Sequence, residues 1–391
     1  MAKQKKIPRN VWVLGFVSLL TDVSSEMIYV VLPMFLVNAL GADVLTIGAI
    51  EGIAEATASI VKVISGSLSD YLKNRKILTV IGYGLSTAVK PLFALATNPS
   101  WILLARFGDR VGKGIRGAPR DALVADSTEP ELRGAAYGLR QSLDSVGAVI
   151  GPLLAFALLS FSSENFRQVF VFSLIPGILS VVLLILGVRE PKSTTISKSR
   201  INPLNRQSLK KLSRDYWIIV IVALLFNLGN SSDAFLLLKA RQVGIATPLI
   251  PLTIMIMNIV YSISAYPVGL LSDRIGRFGL LLSSFLLYAF IYLGFALVQT
   301  SWAIWILFAF YGLYLGMSQG ILLAMVAERV PATLRGTAFG FFNLATGTAL
   351  LPASLLGGWL WQSVGSSATF FVGSLFALLA TLFLAMQNQK N

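Results

Sequence analysis

The sequence repeats itself. Gly66-Ser67-Leu68-Ser69-Asp70 closes one apolar stretch, and Gly269-Leu270-Leu271-Ser272-Asp273 closes another 203 positions later. Leu132-Arg133-Gly134-Ala135-Ala136-Tyr137-Gly138 returns as Leu334-Arg335-Gly336-Thr337-Ala338-Phe339-Gly340 at an offset of 202. Two independent matches at nearly one offset, just over half of 391 residues, imply a chain of two similar halves. Parallel halves packed about a midplane site are a frequent plan among secondary transporters.

Charged residues make up 13% of the chain and hydrophobic ones 55%, whereas a soluble domain carries about 25% charged residues. The apolar runs are long enough to cross a bilayer, which takes roughly 20 residues each. They fall at about 12–36, 44–69, 77–97, 101–124, 136–160, 168–188, 216–238, 250–272, 278–298, 302–326, 337–361 and 369–386. The expected fold is therefore an all-α membrane protein of twelve transmembrane helices. It divides into a six-helix bundle over 1–188, a basic linker over 189–215 and a second six-helix bundle over 216–391. Lys3, Lys5, Lys6 and Arg9 ahead of an apolar run resemble a signal peptide. The run from Trp12 to Leu36 is too long for one and reads as the first span.

An even number of spans puts both termini on one face, and the charges then sort by side. The N-terminus, Lys73, Arg75, Lys76, Arg133, the linker, Arg274, Arg277, Arg329, Arg335 and Lys390 share one side. Among the basic residues of the connections, only Arg167, Lys239 and Arg241 lie on the other. By the positive-inside rule the crowded side is cytoplasmic, with the chain in a cytoplasmic (inner) membrane. The excess of 14 positive charges is thus accounted for without nucleic acid. The linker bases either lie on anionic headgroups, at about 1 kcal/mol each, or simply solvate a tether. With no cysteine there is no disulfide or thiolate metal site. With no histidine, a proton carried at neutral pH has to ride on a buried carboxylate.

Ionisable side chains at bilayer depth cost about 2.5–3.5 kcal/mol on insertion scales and mark functional sites by default. Asp22 and Glu26 lie four apart on one face of the first span. Glu51, Glu55 and Lys62 form a stripe on the second, and Lys90 stands in the third. Arg106, Asp109, Arg110, Lys113 and Arg116 follow three-and-four spacing on the fourth, with Arg140 and Asp144 on the fifth. These charges either neutralise one another as interhelical pairs or serve coupling and binding. Glu26, Glu55 and Arg110 fall near mid-depth. In the second half Asp233 is the one mid-span charge, within Asn230-Ser231-Ser232-Asp233, which echoes Ser24-Ser25-Glu26. Asn227 and Tyr311 are neutral residues able to hydrogen-bond a substrate, or a neighbouring helix.

Together these features resemble the major facilitator superfamily, over essentially the whole chain. Gly269, Leu271, Asp273, Arg274, Gly276 and Arg277 match the family's loop after the second span of a half. The first half keeps Gly66, Leu68, Asp70, Arg75 and Lys76, with Tyr71 and Lys73 in place of the family's Arg and Gly. The resemblance implies that these acids and bases latch the cytoplasmic side. Gly138, Gly147, Gly151 and Pro152 are similar to the family's fifth-span helix-packing motif, although Ala155-Phe156 replaces its closing glycines. Arg110-Val111-Gly112-Lys113-Gly114 is similar to a fourth-span motif whose arginine takes part in proton coupling. The family's first and fourth spans line its central cavity, which by resemblance places Asp22, Glu26 and the fourth-span stripe there.

The expected function is secondary active transport by alternating access. No G-x-x-x-x-G-K-[ST] loop provides for ATP, so the proton gradient is the expected energy source and no cofactor is called for. Glu26, with Asp22, Glu55 and Arg110, is expected to couple protons. Arg106, Arg110, Lys113, Asn227, Asp233 and Tyr311 are expected to bind a small anionic or polycarboxylate solute, in a protein working as a monomer in the bilayer. Efflux of cationic or amphipathic drugs on the same carboxylates is the alternative, and a transport-like sensor is a remoter one. An intramembrane enzyme lacks its metal or nucleophile set, so no catalytic or metal-binding residues are expected.

Overall fold

A computed structural model of the chain describes residues 7–72, 74–129, 132–190, 211–331 and 334–388. Its described part is helical, without strands. The first half runs α1 (Arg9–Tyr29), α2 (Leu32–Asn38), α3 (Val44–Leu72), α4 (Arg75–Ala88), α5 (Lys90–Leu95), α6 (Pro99–Asp126), α7 (Arg133–Phe161) and α8 (Phe166–Gly187). The second runs α9 (Arg214–Gly229), α10 (Ala234–Gln242), α11 (Ile250–Ile275), α12 (Arg277–Leu297), α13 (Ser301–Glu328), α14 (Arg335–Ser363) and α15 (Ser366–Asn388). Among the described residues, eleven helical stretches are long and apolar enough to cross a membrane. The twelfth expected span is α6, whose 28 residues reach about 42 Å at 1.5 Å per residue and which carries the charge stripe.

The helix starts follow local chemistry. Asn74 accepts a hydrogen bond from the Ile77 amide at 3.1 Å, Asn98 from Ser100 at 3.0 Å, and Ser213 from Tyr216 at 3.2 Å. Each satisfies an amide that the helix itself leaves without a partner.

Three spans are broken, which the sequence reading did not anticipate. The first breaks at Val30–Val31 just before Pro33, and the third at Val89 just before Pro91. A proline ring denies the preceding turn one donor and crowds the carbonyl four residues earlier, at Tyr29 and at Thr87. The seventh breaks over Asn230-Ser231-Ser232-Asp233, whose short polar side chains compete for the backbone.

The chain packs as two compact units, one of residues 1–31 with 57–201 and one of residues 32–56 with 202–391. In the first, α1 packs along α7 and α8, and α4 along α6. In the second, α9 packs against α14 and α15, and α12 against α13. These are the same pairings one repeat later. Residues 32–56 join the second unit because α2 packs on α10 and Gly48 of α3 lies against the Ser354 carbonyl with no room for a Cβ. The Thr46 hydroxyl and amide, the latter donating at 2.7 Å, hold the Asp43 carboxyl below its usual range at the start of α3.

Candidate functional site

In the first unit the acidic face of α1 meets the glycines of α7. A Cβ at Gly147 would lie 2.6 Å from the Leu19 carbonyl and 3.0 Å from the Asp22 Cβ. One at Gly151 would lie 2.6 Å from the Glu26 Cβ and 2.9 Å from the Val23 carbonyl. The sequence motif thus brings the fifth span into direct contact with the backbone that carries both acids. Gly138 takes no part, since a Cβ there would meet nothing within 4 Å. Pro152 is buried inside α7 beside Gly151. The Asp22 carboxyl has Asp144, Arg116, Lys113 and Arg120 as its charged neighbours. Asp144 is held by Arg140, one turn earlier on α7, at 2.6 Å.

The basic stripe of α6 divides between two neighbours. Arg106 is 3% exposed and lies over the Tyr29 ring of α1, 5.6 Å from its centroid. Arg116 turns to α4, donating to the Ser86 hydroxyl at 2.7 Å and stacking over Tyr83 at 4.6 Å. Arg110 is buried beside Asp109, with 4.0 Å between Nε and the carboxylate, and Lys113 is exposed. Periodicity placed all of them on one face. Packing splits them, because a helix wedged between α1 and α4 offers a different partner to each flank of a broad stripe.

In the second unit Asp233 and Tyr311 come together, the tyrosine donating to the carboxylate at 2.8 Å. Tyr311 belongs to a buried group with Tyr288, Tyr292 and Tyr314, packed on Phe226. Asn227 instead turns its amide to the Ala223 carbonyl of its own helix at 2.8 Å. Sequence reasoning missed Tyr288 and Tyr292. Their signal lay in the repeat, since Ser86, Lys90 and Asp109 reappear as Tyr288, Tyr292 and Tyr311 at an offset of 202.

Of the expected latch residues, the side chains of Asp70, Asp273 and Arg274 lie outside the described residues. Arg75 pairs with Asp126 at 2.6 Å, and Arg277 with Glu328 at 2.5 Å. Both bases and both acids are separated by 202 positions, so each half ties the start of its third span to the end of its fourth in the same way. In the first half Glu190 also accepts from the amides of Arg75 and Lys76 at 3.1 and 2.7 Å, and Lys76 donates to the Ile185 carbonyl at 2.8 Å. Asp126, Glu328 and Glu190 were not among the expected residues. The described residues hold no cluster of three or more acids suited to a metal ion.

The family model described as Major Facilitator Superfamily matches residues 14–352 and 234–390. An uncharacterised MFS-type transporter of Methanocaldococcus jannaschii is 33% identical over 388 residues, covering 97% of this chain and 95% of that protein. The quinolone resistance protein NorA of Staphylococcus aureus is 26% identical over 226 residues, 57% of this chain and 56% of its own. Among solved structures, a POT family transporter in complex with a thioalcohol-conjugated peptide superposes with a TM-score of 0.83 at 14% identity, covering 98% of both chains. The chain belongs to the major facilitator superfamily of membrane transporters.

Proposed function

We propose that this transporter is proton-coupled and moves a small anionic or polycarboxylate solute across the cytoplasmic membrane, with both termini cytoplasmic and the monomer as the working unit. The observation that carries the reading is the first unit's combination of charges. Asp22 and Glu26 sit on a helix clamped by Gly147 and Gly151, while Arg106 and Arg110 are held buried on α6. A carboxylate whose surroundings change as a transporter alternates between states takes up and gives back a proton. Glu26, with Asp22, Glu55 and Arg110, carries that role. Arg106, Arg110 and Lys113 meet the anionic groups of the solute, and Asp233 with Tyr311, together with Asn227, meets its polar end. The halves 1–188 and 216–391 rock about the linker 189–215, and Asp70, Arg75 and Lys76 with Asp273, Arg274 and Arg277 set the inward–outward balance.

The partial likeness to a quinolone resistance protein favours a second reading, efflux of cationic or amphipathic compounds on the same carboxylates. Glu26→Gln separates coupling from passage in either case. The variant should lose accumulation driven by a pH gradient and keep downhill exchange in proteoliposomes. Full gradient-driven accumulation by Glu26→Gln would remove Glu26 as the carrier. Drug tolerance in overexpressing cells without organic-acid uptake would favour efflux.

A further inference from the structure

The two halves carry matching polar knots where the third and fourth spans close on the first. In the first half the knot holds a cation of its own. Lys90 is 2% exposed, and its ammonium donates to the Ser24 hydroxyl and, at 3.5 Å, to that of Ser25. Ser24 donates onward to the Ser173 carbonyl, and Ser86 to the Asp109 carbonyl at 3.1 Å. A buried ammonium bonded to hydroxyl oxygens is how this half fills the space between its three helices.

One repeat later the oxygens remain and the ammonium is gone. Position 292, the counterpart of 90, is a tyrosine. The serines that grip it in the first half are echoed by Ser231-Ser232, in the break between α9 and α10. Tyr288 has one hydroxyl proton and two acceptors at 3.2 Å, the Gly229 carbonyl and Asn230 Oδ1. Tyr311 likewise has one proton for Asp233 Oδ1 at 2.8 Å and Asn230 Oδ1 at 3.5 Å. The Tyr292 hydroxyl is wholly buried beside those of Tyr288, Tyr311 and Ser231, and closes no hydrogen bond of normal geometry among the described residues. A buried polar group in that condition is costly and calls for an explanation.

Oxygen atoms crowd this break, and two features of the site carry negative potential. The carbonyl end of α9 stops at Gly229, where a helix favours positive charge. The Asp233 carboxylate is joined to the group through Tyr311. Carbonyls at the end of a half-helix, with hydroxyl and amide oxygens around them, are the ligands a hard monovalent cation takes within a membrane protein. Tyr288 and Tyr292 stack with 4.1 Å between ring centroids, which sets their hydroxyls side by side.

We propose that a sodium ion binds in the break between α9 and α10, held by the Gly229 carbonyl, Asn230 Oδ1 and the hydroxyls of Tyr288, Tyr292 and Tyr311. It occupies the place that the Lys90 ammonium takes in the first half. The site lies wholly in the second unit and shares Tyr311, and through it Asp233, with the solute assignment made above, so it is read by ion binding in the absence of solute and without transport.

The test is the thermal midpoint of the full-length protein in detergent, titrated with sodium, potassium or choline chloride at fixed pH and ionic strength. Sodium should give a saturable upward shift that the other two salts do not. Tyr292→Phe, which keeps the ring and deletes only the hydroxyl, and Asn230→Ala should each raise the half-saturating sodium concentration tenfold or more. Tyr292→Lys should abolish the sodium response, because it supplies the positive charge through a covalent tether. Binding of radioactive sodium to the unaltered protein, competed by sodium and not by potassium, reads the same site should the variants fail to fold. Equal midpoints in the three salts, absence of sodium binding, or an undiminished response in Tyr292→Phe and Asn230→Ala would each overturn the proposal.

Discussion

Arg110 is the residue on which the solute assignment turns. A guanidinium holds a carboxylate through two parallel hydrogen bonds, whereas an ammonium offers a compact point charge. Arg110→Lys should therefore weaken binding of a carboxylate solute despite conserving charge, and Arg110→Gln should weaken it further. Loss of one charge-assisted hydrogen bond costs about 1.5–3 kcal/mol, or roughly ten- to a hundredfold in affinity. Equilibrium binding of labelled solutes to the purified variants checks this, and unchanged affinity in Arg110→Gln would remove the residue from the site. The sequence disclosed which side chains were out of place in a bilayer, because a charge in an apolar run is conspicuous. It did not disclose where each points. Arg116 finds Ser86 and Tyr83, and Arg106 finds Tyr29, through the packing of separate helices, and spacing along one helix carries no information about its neighbours.

Among the elements, the seam between α1 and α7 ties fold to function most closely. The Gly151 contact involves backbone, the Val23 carbonyl at 2.9 Å, together with the Glu26 Cβ at 2.6 Å, so neither helix can yield by turning a side chain. Gly151→Ala should cost about 1–3 kcal/mol through overpacking, seen as a lowered thermal midpoint, and should slow transport by displacing Glu26. Gly138→Ala, in open space, should be neutral or slightly stabilising, since alanine is the better helix former. Equal behaviour of the two variants would detach the motif from the acidic face. The spans themselves were legible as long apolar runs bounded by capping residues such as Asn74, Asn98 and Ser213. Their breaks were not. Pro33 and Pro91 lie within runs that remain apolar on both sides, and a hydropathy pattern continues across a backbone interruption.

Across the whole molecule, the repeat seen in two short motifs extends to features that carry no sequence identity. Arg75–Asp126 and Arg277–Glu328 occupy equivalent places with an aspartate exchanged for a glutamate. Ser86, Lys90 and Asp109 become three tyrosines in a knot of the same helices. The first half carries intramembrane charge where the second carries neutral residues, among them the hydroxyls of Thr253, Ser264, Tyr292, Tyr311, Ser318 and Thr346 at the matching positions. That asymmetry was visible in the sequence. The pairing of Arg75 and Arg277 with acids at the far end of the fourth span was visible only in hindsight, because it needs the fold to bring residues 51 positions apart into contact.

In the proposed function, solute movement and proton movement are one process running through the acids of the first span. Proteoliposomes holding a pH-sensitive dye read it directly when a panel of polycarboxylate, neutral and cationic solutes is added outside. Carboxylate solutes should acidify the lumen of vesicles carrying the unaltered protein, and the signal should vanish in Glu26→Gln. Carboxylate entry without any proton movement, or an equal signal from Glu26→Gln, would contradict proton coupling through the first span.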